Sequence, residues 1–263
     1  MSAEIYMIGS SSKGNSCLIR NGNDLFLIDA GLSAKRICSA VRSVGYDISS
    51  VRCILLTHEH SDHTAGLDVL YHSMRVPVYA PSPCFPDLSR SSPCAYPFLI
   101  SGDPGDVIIL DDTRIYPVKT PHDAIGSVGF RISFGFEEFA YFTDIGHLSE
   151  QVVRAMSGCR RVVIESNYDP DLLENGPYPP PLKRRIAGPN GHLSNPDCAG
   201  LLPHLVGHGT EKIMLAHLSE HNNTPQLAYQ ASAEVLQDCL QGEERPPRLC
   251  PLPRMTPSPF FIL

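Results

Sequence analysis

The sequence has no tryptophan, no C-x-x-C pair, no internal repeat of fixed period and no excess of positive charge. No apolar run approaches the length that spans a bilayer. The amino terminus, Met-Ser-Ala-Glu, has neither a basic stretch nor a long apolar region, so neither membrane insertion nor secretion is expected. Nine cysteines, odd in number and scattered, do not suggest a disulfide framework. Cys17 and Cys53 fall inside apolar runs, where a reduced thiol packs as a small hydrophobe, and a reducing cytoplasm is the expected location. Lys and Arg total 21 against 28 acids, a net charge of −7. That balance counts against nucleic-acid binding through a general positive field and leaves the question to local charge. With 263 residues, 42% of them hydrophobic, the chain can bury a full core. We expect one domain over residues 1–245, with 246–263 as a Pro-rich, poorly ordered tail.

What is present is concentrated in six residues. His58-Glu59-His60-Ser61-Asp62-His63 follow directly on the apolar run Val51 to Thr57. A short aliphatic and β-branched run bounded by polar residues reads as a buried strand, which puts the histidines in the loop at its carboxyl end, where α/β proteins place ligand sites. His58 and His60 share one side of an extended segment, while Asp62 and His63 open a helical pattern carrying Leu67, Leu70 and Met74. Imidazole and carboxylate together are ligands for zinc, manganese or iron. The supply exceeds what one tetrahedral ion needs, which suggests two metals.

This string resembles the signature of the metallo-β-lactamase superfamily, H-x-H-x-D-H after a strand. The resemblance implies an α/β fold, the four-layer αββα metallo-β-lactamase sandwich, and further residues in a set order. Candidates follow in that order: Asp29 after Leu25 to Ile28, His122 after the strand around Ile115 to Val118, Asp144 after Phe139 to Thr143, and His217 after Lys212 to Ala216. By this resemblance His58, His60 and His122 hold a first metal, Asp62, His63 and His217 a second, and Asp144 bridges them. Asp29 orients ligating residues. The cofactors implied are two divalent ions, Zn²⁺ or Mn²⁺.

Further segments, Gly9 to Ser16, Leu27 to Ser33, Glu165 to Asp169, Lys183 to Ile186, Gly191 to Asn195 and Ala216 to Asn223, are similar to the WalJ/YycJ group, regarded as DNA exonucleases acting from the 5′ end. Glu165 and His192 also resemble the pair that assists the leaving group in ribonuclease Z. Where this likeness leads one to expect an aromatic such as Trp, the chain has Tyr178-Pro179-Pro180-Pro181. The implied activity is a dinuclear phosphodiesterase acting on nucleic acid, double-stranded DNA above all, with a metal-bridging hydroxide as nucleophile. Ions roughly 3.5–4 Å apart would clamp the attacking and leaving oxygens. Asp62 would orient that hydroxide or take its proton, and His192, paired with Glu165, would protonate the departing 3′ oxygen. A thioester or lactone hydrolase of the same superfamily is the alternative and would not require the Glu-His pair. A non-catalytic metal-binding module is the third, but such proteins usually lose ligands.

Three features keep two readings each. Lys183, Arg184 and Arg185, with Lys13, form either a phosphate-facing patch or a solvated basic turn. The loop Gly9 to Ser16 has Asn15 where a phosphate-binding Lys would stand in G-x-x-x-x-G-K-S. It is either a tight turn or a place where Ser11, Ser12 and Asn15 hold a phosphate. His192 either serves chemistry or caps the helix opening at Ser194-Asn195-Pro196-Asp197. Strands are expected over 5–8, 16–20, 24–29, 107–110, 113–118, 127–134, 139–142 and 162–165, and helices over 33–44 and 149–156 and from Thr224-Pro225 onward. From Pro77 to Pro104 the chain is rich in Pro, Ser and Cys, so poor regular structure is expected there, as a lid or surface excursion.

Overall fold

A computed structural model describes residues 3–22, 24–239, 246–254, 256–258 and 261–262. In chain order the elements are β1 (Glu4–Gly9), β2 (Ser16–Asn21), β3 (Asp24–Ile28), α1 (Ala34–Ser43), β4 (Cys53–Leu55), α2 (Ser61–Thr64), α3 (Leu67–Leu70), β5 (Val78–Ala80), α4 (Phe85–Ser91), β6 (Leu99–Ser101), β7 (Ile108–Leu110), β8 (Thr113–Lys119), β9 (Val128–Phe134), β10 (Glu137–Phe142), α5 (Glu150–Met156), β11 (Arg161–Glu165), α6 (Pro170–Asn175), α7 (Pro180–Ile186), α8 (Asn195–Gly207), β12 (Lys212–Ala216), α9 (Pro225–Cys239), β13 (Arg248–Pro251) and β14 (Phe261–Ile262). The chain divides into two compact units. The first is Met1–Pro117 with Ala124–Val128 and Met255–Leu263; the second is Val118–Asp123 with Gly129–Arg254. Among the described residues no helix is long and apolar enough to cross a membrane.

The first unit is built on a sheet of order β14-β1-β2-β3-β4-β5-β6. β1 to β3 form the expected antiparallel meander, and β3 to β6 then run parallel. Leu25 to Ile28 and Cys53 to Leu55 are buried throughout, as continuous apolar runs are when a strand is covered on both faces. Their pairing, Ile28 opposite Leu55, makes Asp29 and the histidine loop leave the sheet at the same edge. α1 lays Ile37, Ala40 and Val41 onto this core.

Three expectations need correcting here. The segment from Pro77 to Pro104 is not irregular: it contains β5, α4 and β6. Pro86 sits in the first turn of α4, and Pro83 and Pro97 open short 3-10 turns, positions where a missing N–H costs nothing. The helical pattern after Asp62 is two short helices, α2 and α3, separated near Gly66, whose N–H donates to the Ala30 carbonyl at 2.8 Å. The Pro-rich end is not free of structure in its described residues either. β13 lies parallel to β12 and β14 antiparallel to β1, and Ser258 exchanges hydrogen bonds with Met7. Open sheet edges take up whatever strand reaches them, and here the prolines fall mostly between the strands. Phe260 and Leu263, singled out as a docking tail, lie outside the described residues.

In the second unit the strands run in the order β13-β12-β11-β10-β9. β10, β11 and β12 are parallel neighbours, with Phe142 opposite Ile164 and Glu165 opposite Ala216. Their carboxyl ends therefore bring Asp144, Glu165 and His217 to one sheet edge. α5, α8 and α9 cover this sheet with Val152, Met156, Leu202, Leu205, Ala228 and Leu236.

Candidate metal centre

Backbone conformation marks the site before any side chain is considered. Among the described residues four non-glycines have positive φ, and three of them are candidate site residues: Asp29 at 61°, Asp144 at 57° and His217 at 54°. Each follows a β-strand, where a left-handed residue turns the chain sharply. Such strain costs about 1–3 kcal/mol per residue and persists where the surroundings impose it.

In the first unit, His58 and His63 are fully buried. The His58 ring lies 4.6 Å from that of His60 and 4.1 Å from that of His63, centroid to centroid. Asp29, itself fully buried, orients this group. Its Oδ2 accepts from His63 Nδ1 at 2.7 Å, and its Oδ1 accepts from the Thr57 backbone N–H at 2.8 Å. Thr57 Oγ1 is in turn 3.0 Å from His58 Nδ1. Burial raises the Asp29 carboxyl above its usual range, and His63 and Thr57 oppose that. Asp62 stands beside the group, with its Oδ2 3.5 Å from His63 Nε2.

The second unit holds a second group. Asp144, Glu165, His192 and His217 place donor atoms within 4.8 Å of one another. Glu165 is fully buried, and its Oε1 accepts from both His217 Nδ1 at 2.7 Å and His192 Nδ1 at 2.8 Å. Its Oε2 accepts from the Ile145 N–H at 2.7 Å and the Leu193 N–H at 3.2 Å. Burial opposes ionisation, but the two imidazoles outweigh it and hold the carboxyl at about 2. Burial likewise favours neutral His192, yet Glu165 and Asp144 raise it above its ordinary value. Burial lowers His122, whose Nδ1 donates to the Gly191 carbonyl at 3.0 Å. Asp144 Oδ1 lies 3.6 Å from both His122 Nε2 and His217 Nδ1.

Two features that kept two readings each have definite surroundings. Ser11 and Asn15 are buried and support the histidine loop. The Asn15 N–H donates to the Asp62 carbonyl at 2.8 Å, its Nδ2 is 3.0 Å from His63 Nε2, and its Oδ1 accepts from the Ser11 N–H at 3.0 Å. Ser12 is exposed. The cap of α8 is Ser194, whose Oγ accepts from the Asp197 N–H at 3.1 Å, so His192 has no capping duty. On α7, Arg185 pairs with Asp123 and Lys183 with the Glu174 carbonyl, while Arg184 is exposed.

Sequence reasoning missed several residues on which the loops depend. A Cβ on Gly31 would lie 1.6 Å from the Asp62 carbonyl oxygen, and one on Gly66 2.0 Å from that of Leu32. On Gly191 it would lie 2.1 Å from the Ile186 carbonyl oxygen. Only glycine permits such approaches. Thr57 was visible as the residue before His58, but its partnership with Asp29, 28 residues away, had no local signal.

These donors fit a divalent cation. His58, His63, His122 and His217 each have Nδ1 engaged by an oxygen of Thr57, Asp29, Gly191 or Glu165. A protein oxygen at Nδ1 is how metal-binding imidazoles are held so that Nε2 is presented. His192 is anchored to Glu165 in the same way.

Comparison with known proteins agrees. The beta-lactamase superfamily domain matches residues 25–218. The exodeoxyribonuclease YycJ of Bacillus anthracis is 32% identical over 241 residues, covering 90% of each chain. The exodeoxyribonuclease WalJ of Streptococcus pneumoniae is 31% identical over 238 residues, 88% of this chain and 87% of that one. Among solved structures, the metallo-β-lactamase fold protein YhfI of Bacillus subtilis superposes with a TM-score of 0.75 over 98% of this chain and 99% of its own, at 14% identity. That likeness shows the fold, which is the one expected from the sequence, and the fold implies divalent metal ions. With the H-x-H-x-D-H loop in place and both groups of donors assembled at strand ends, the chain belongs to the metallo-β-lactamase superfamily and is a metal-dependent hydrolase.

Proposed function

We propose that this hydrolase is a phosphodiesterase that degrades double-stranded DNA from the 5′ end in the cytoplasm. The observation that carries the reading is the Glu165 carboxylate oxygen shared between His192 and His217 at 2.8 and 2.7 Å. A thioester or lactone hydrolase would not require that pair. The naming of YycJ and WalJ as exodeoxyribonucleases supports it. In this reading His58, His60 and His122 hold one divalent ion, Asp62, His63 and His217 a second, and Asp144 serves both. Zn²⁺ and Mn²⁺ both suit this set. When bound, such ions supply a nucleophilic hydroxide near neutral pH and neutralise charge on the phosphoryl oxygens.

The chain's own residues do the rest. Asp62, its side chain 23% exposed, orients the attacking group or accepts its proton. His192, 22% exposed and raised above its ordinary value by Glu165 against the effect of burial, donates to the departing 3′ oxygen through the nitrogen that Glu165 does not engage. Glu165 is a positioning residue. For the substrate phosphate, Ser12, Arg184 and Arg185 are exposed, Lys183 lies beside them in sequence on α7, and Ser11 and Asn15 are buried next to the histidine loop.

The test is digestion of 5′-phosphorylated, end-labelled duplex DNA with Mn²⁺ or Zn²⁺ added. Shortening from the 5′ end is expected. It should be lost in Asp62→Ala and slowed about a hundredfold or more in His192→Ala. If DNA stays intact while a thioester or lactone is turned over, the substrate class is wrong and the metal reading stands.

A further inference from the structure

Among the described residues, outside the centre described above, one more group of donors of different chemical type converges. Asp68, His72 and Cys94 each place a ligand atom within 4.8 Å of the others. Asp68 lies in α3 and His72 four residues on, in the turn that continues it: the His72 N–H still donates to the Val69 carbonyl at 3.2 Å. Residues four apart on a helical path share a face, so carboxylate and imidazole point to one side. The third donor comes from the turn after α4. There Ser92 receives the N–H groups of Ala95 at 3.1 Å and Tyr96 at 3.0 Å, and Ala95 is fully buried, which pins Cys94 between fixed neighbours. Asp68 Oδ1 accepts the Cys94 N–H at 2.8 Å, so the two segments are already joined at the point where the three side chains meet.

We propose that Asp68, His72 and Cys94 form a separate divalent-cation site for a zinc-class ion, which ties the end of α3 to the segment after α4. Thiolate and imidazole with one carboxylate leave a tetrahedral ion a fourth position for water, and this set disfavours magnesium and calcium, which take oxygen ligands. Desolvation and the Asp68 carboxylate hold the Cys94 thiol above its ordinary pKa, so without a cation it carries its proton. Binding forms the metal–sulfur bond and releases that proton to solvent. The inference does not depend on the nuclease reading, because no cysteine belongs to the ligand set proposed there.

That difference provides the test, on the full chain stripped of metal. Co²⁺ should give a thiolate-to-metal charge-transfer band in the near ultraviolet, absent from Cys94→Ser, and Cys94→Ser should bind one equivalent of Zn²⁺ fewer than the native chain. In parallel, Zn²⁺ should slow iodoacetamide alkylation of Cys94 at least tenfold while leaving the exposed Cys239 unchanged as internal control. His72→Ala should abolish the protection. Both side chains lie at the surface, and circular dichroism confirms that the variants are folded. Alkylation of Cys94 that Zn²⁺ does not slow, protection that survives in His72→Ala, or a cobalt band that survives in Cys94→Ser overturns the proposal.

Discussion

Replacing Glu165 by Gln changes one atom, and the structure specifies what that atom does. Oε2 faces two backbone N–H donors, from Ile145 and Leu193, and Oε1 faces two imidazole Nδ1 atoms. An amide has one oxygen, and the backbone donors cannot change their nature, so the oxygen turns to them and the NH₂ turns to the rings. Both imidazoles must then accept at Nδ1 and carry their proton on Nε2. His217 in that tautomer cannot ligate through Nε2, and His192 loses the carboxylate that stabilises its cation. Because Glu165 is fully buried, solvent cannot screen the loss. A lost partner of a ligating histidine costs about 10–100-fold in metal affinity, and a lost general acid about 100-fold or more in rate. Zn²⁺ competition with a chromophoric chelator measures the first, and kcat on duplex DNA at saturating metal measures the second. If Glu165→Gln keeps both within about threefold of the native protein, against the 10–100-fold expected for such a partner, the shared-carboxylate argument fails.

Gly31→Ala should lower the melting temperature by roughly 6 °C or more, since its Cβ meets the Asp62 backbone at 1.6 Å and a clash that deep costs about 3 kcal/mol or more; an unchanged melting temperature would show that the loop relaxes freely. Asp29→Asn should weaken Zn²⁺ binding about 10–100-fold by turning an amide NH₂ toward His63, measured by the same chelator competition, and unaltered affinity would remove Asp29 from its orienting role. Arg184→Ala should reduce the slope of log affinity for DNA against log salt by about one and leave kcat at saturating DNA unchanged. A native slope would place Arg184 away from phosphate.

The set of candidate donors was legible because it is local. His58, His60, Asp62 and His63 occupy six consecutive residues, and the stations Asp29, His122, Asp144 and His217 each follow an apolar run that reads as a strand. β1 to β3, α5 and the Ser194 cap were recoverable for the same reason: alternation, helical spacing and capping chemistry act over a few residues. Composition misled where geometry could rescue it. Pro83, Pro86 and Pro97 suggested poor regular structure over 77–104 yet occupy the first turns of helices, and the Pro-rich end found open strand edges at β12 and β1.

Taken by itself, then, the amino-acid sequence determined which atoms were available to bind a metal, in what order they came, and that strand ends would carry them. Tertiary structure alone decided what those atoms do. It joined Asp29 to His63 across 34 residues, His122 to Gly191 across 69 and Glu165 to His217 across 52, it turned Asn15 inward as a support, and it required glycine at positions 31, 66 and 191. Hydrogen-bond partnership and close backbone approach depend on distance in space, and distance in space between residues so far apart in the chain exists only after the strands have paired.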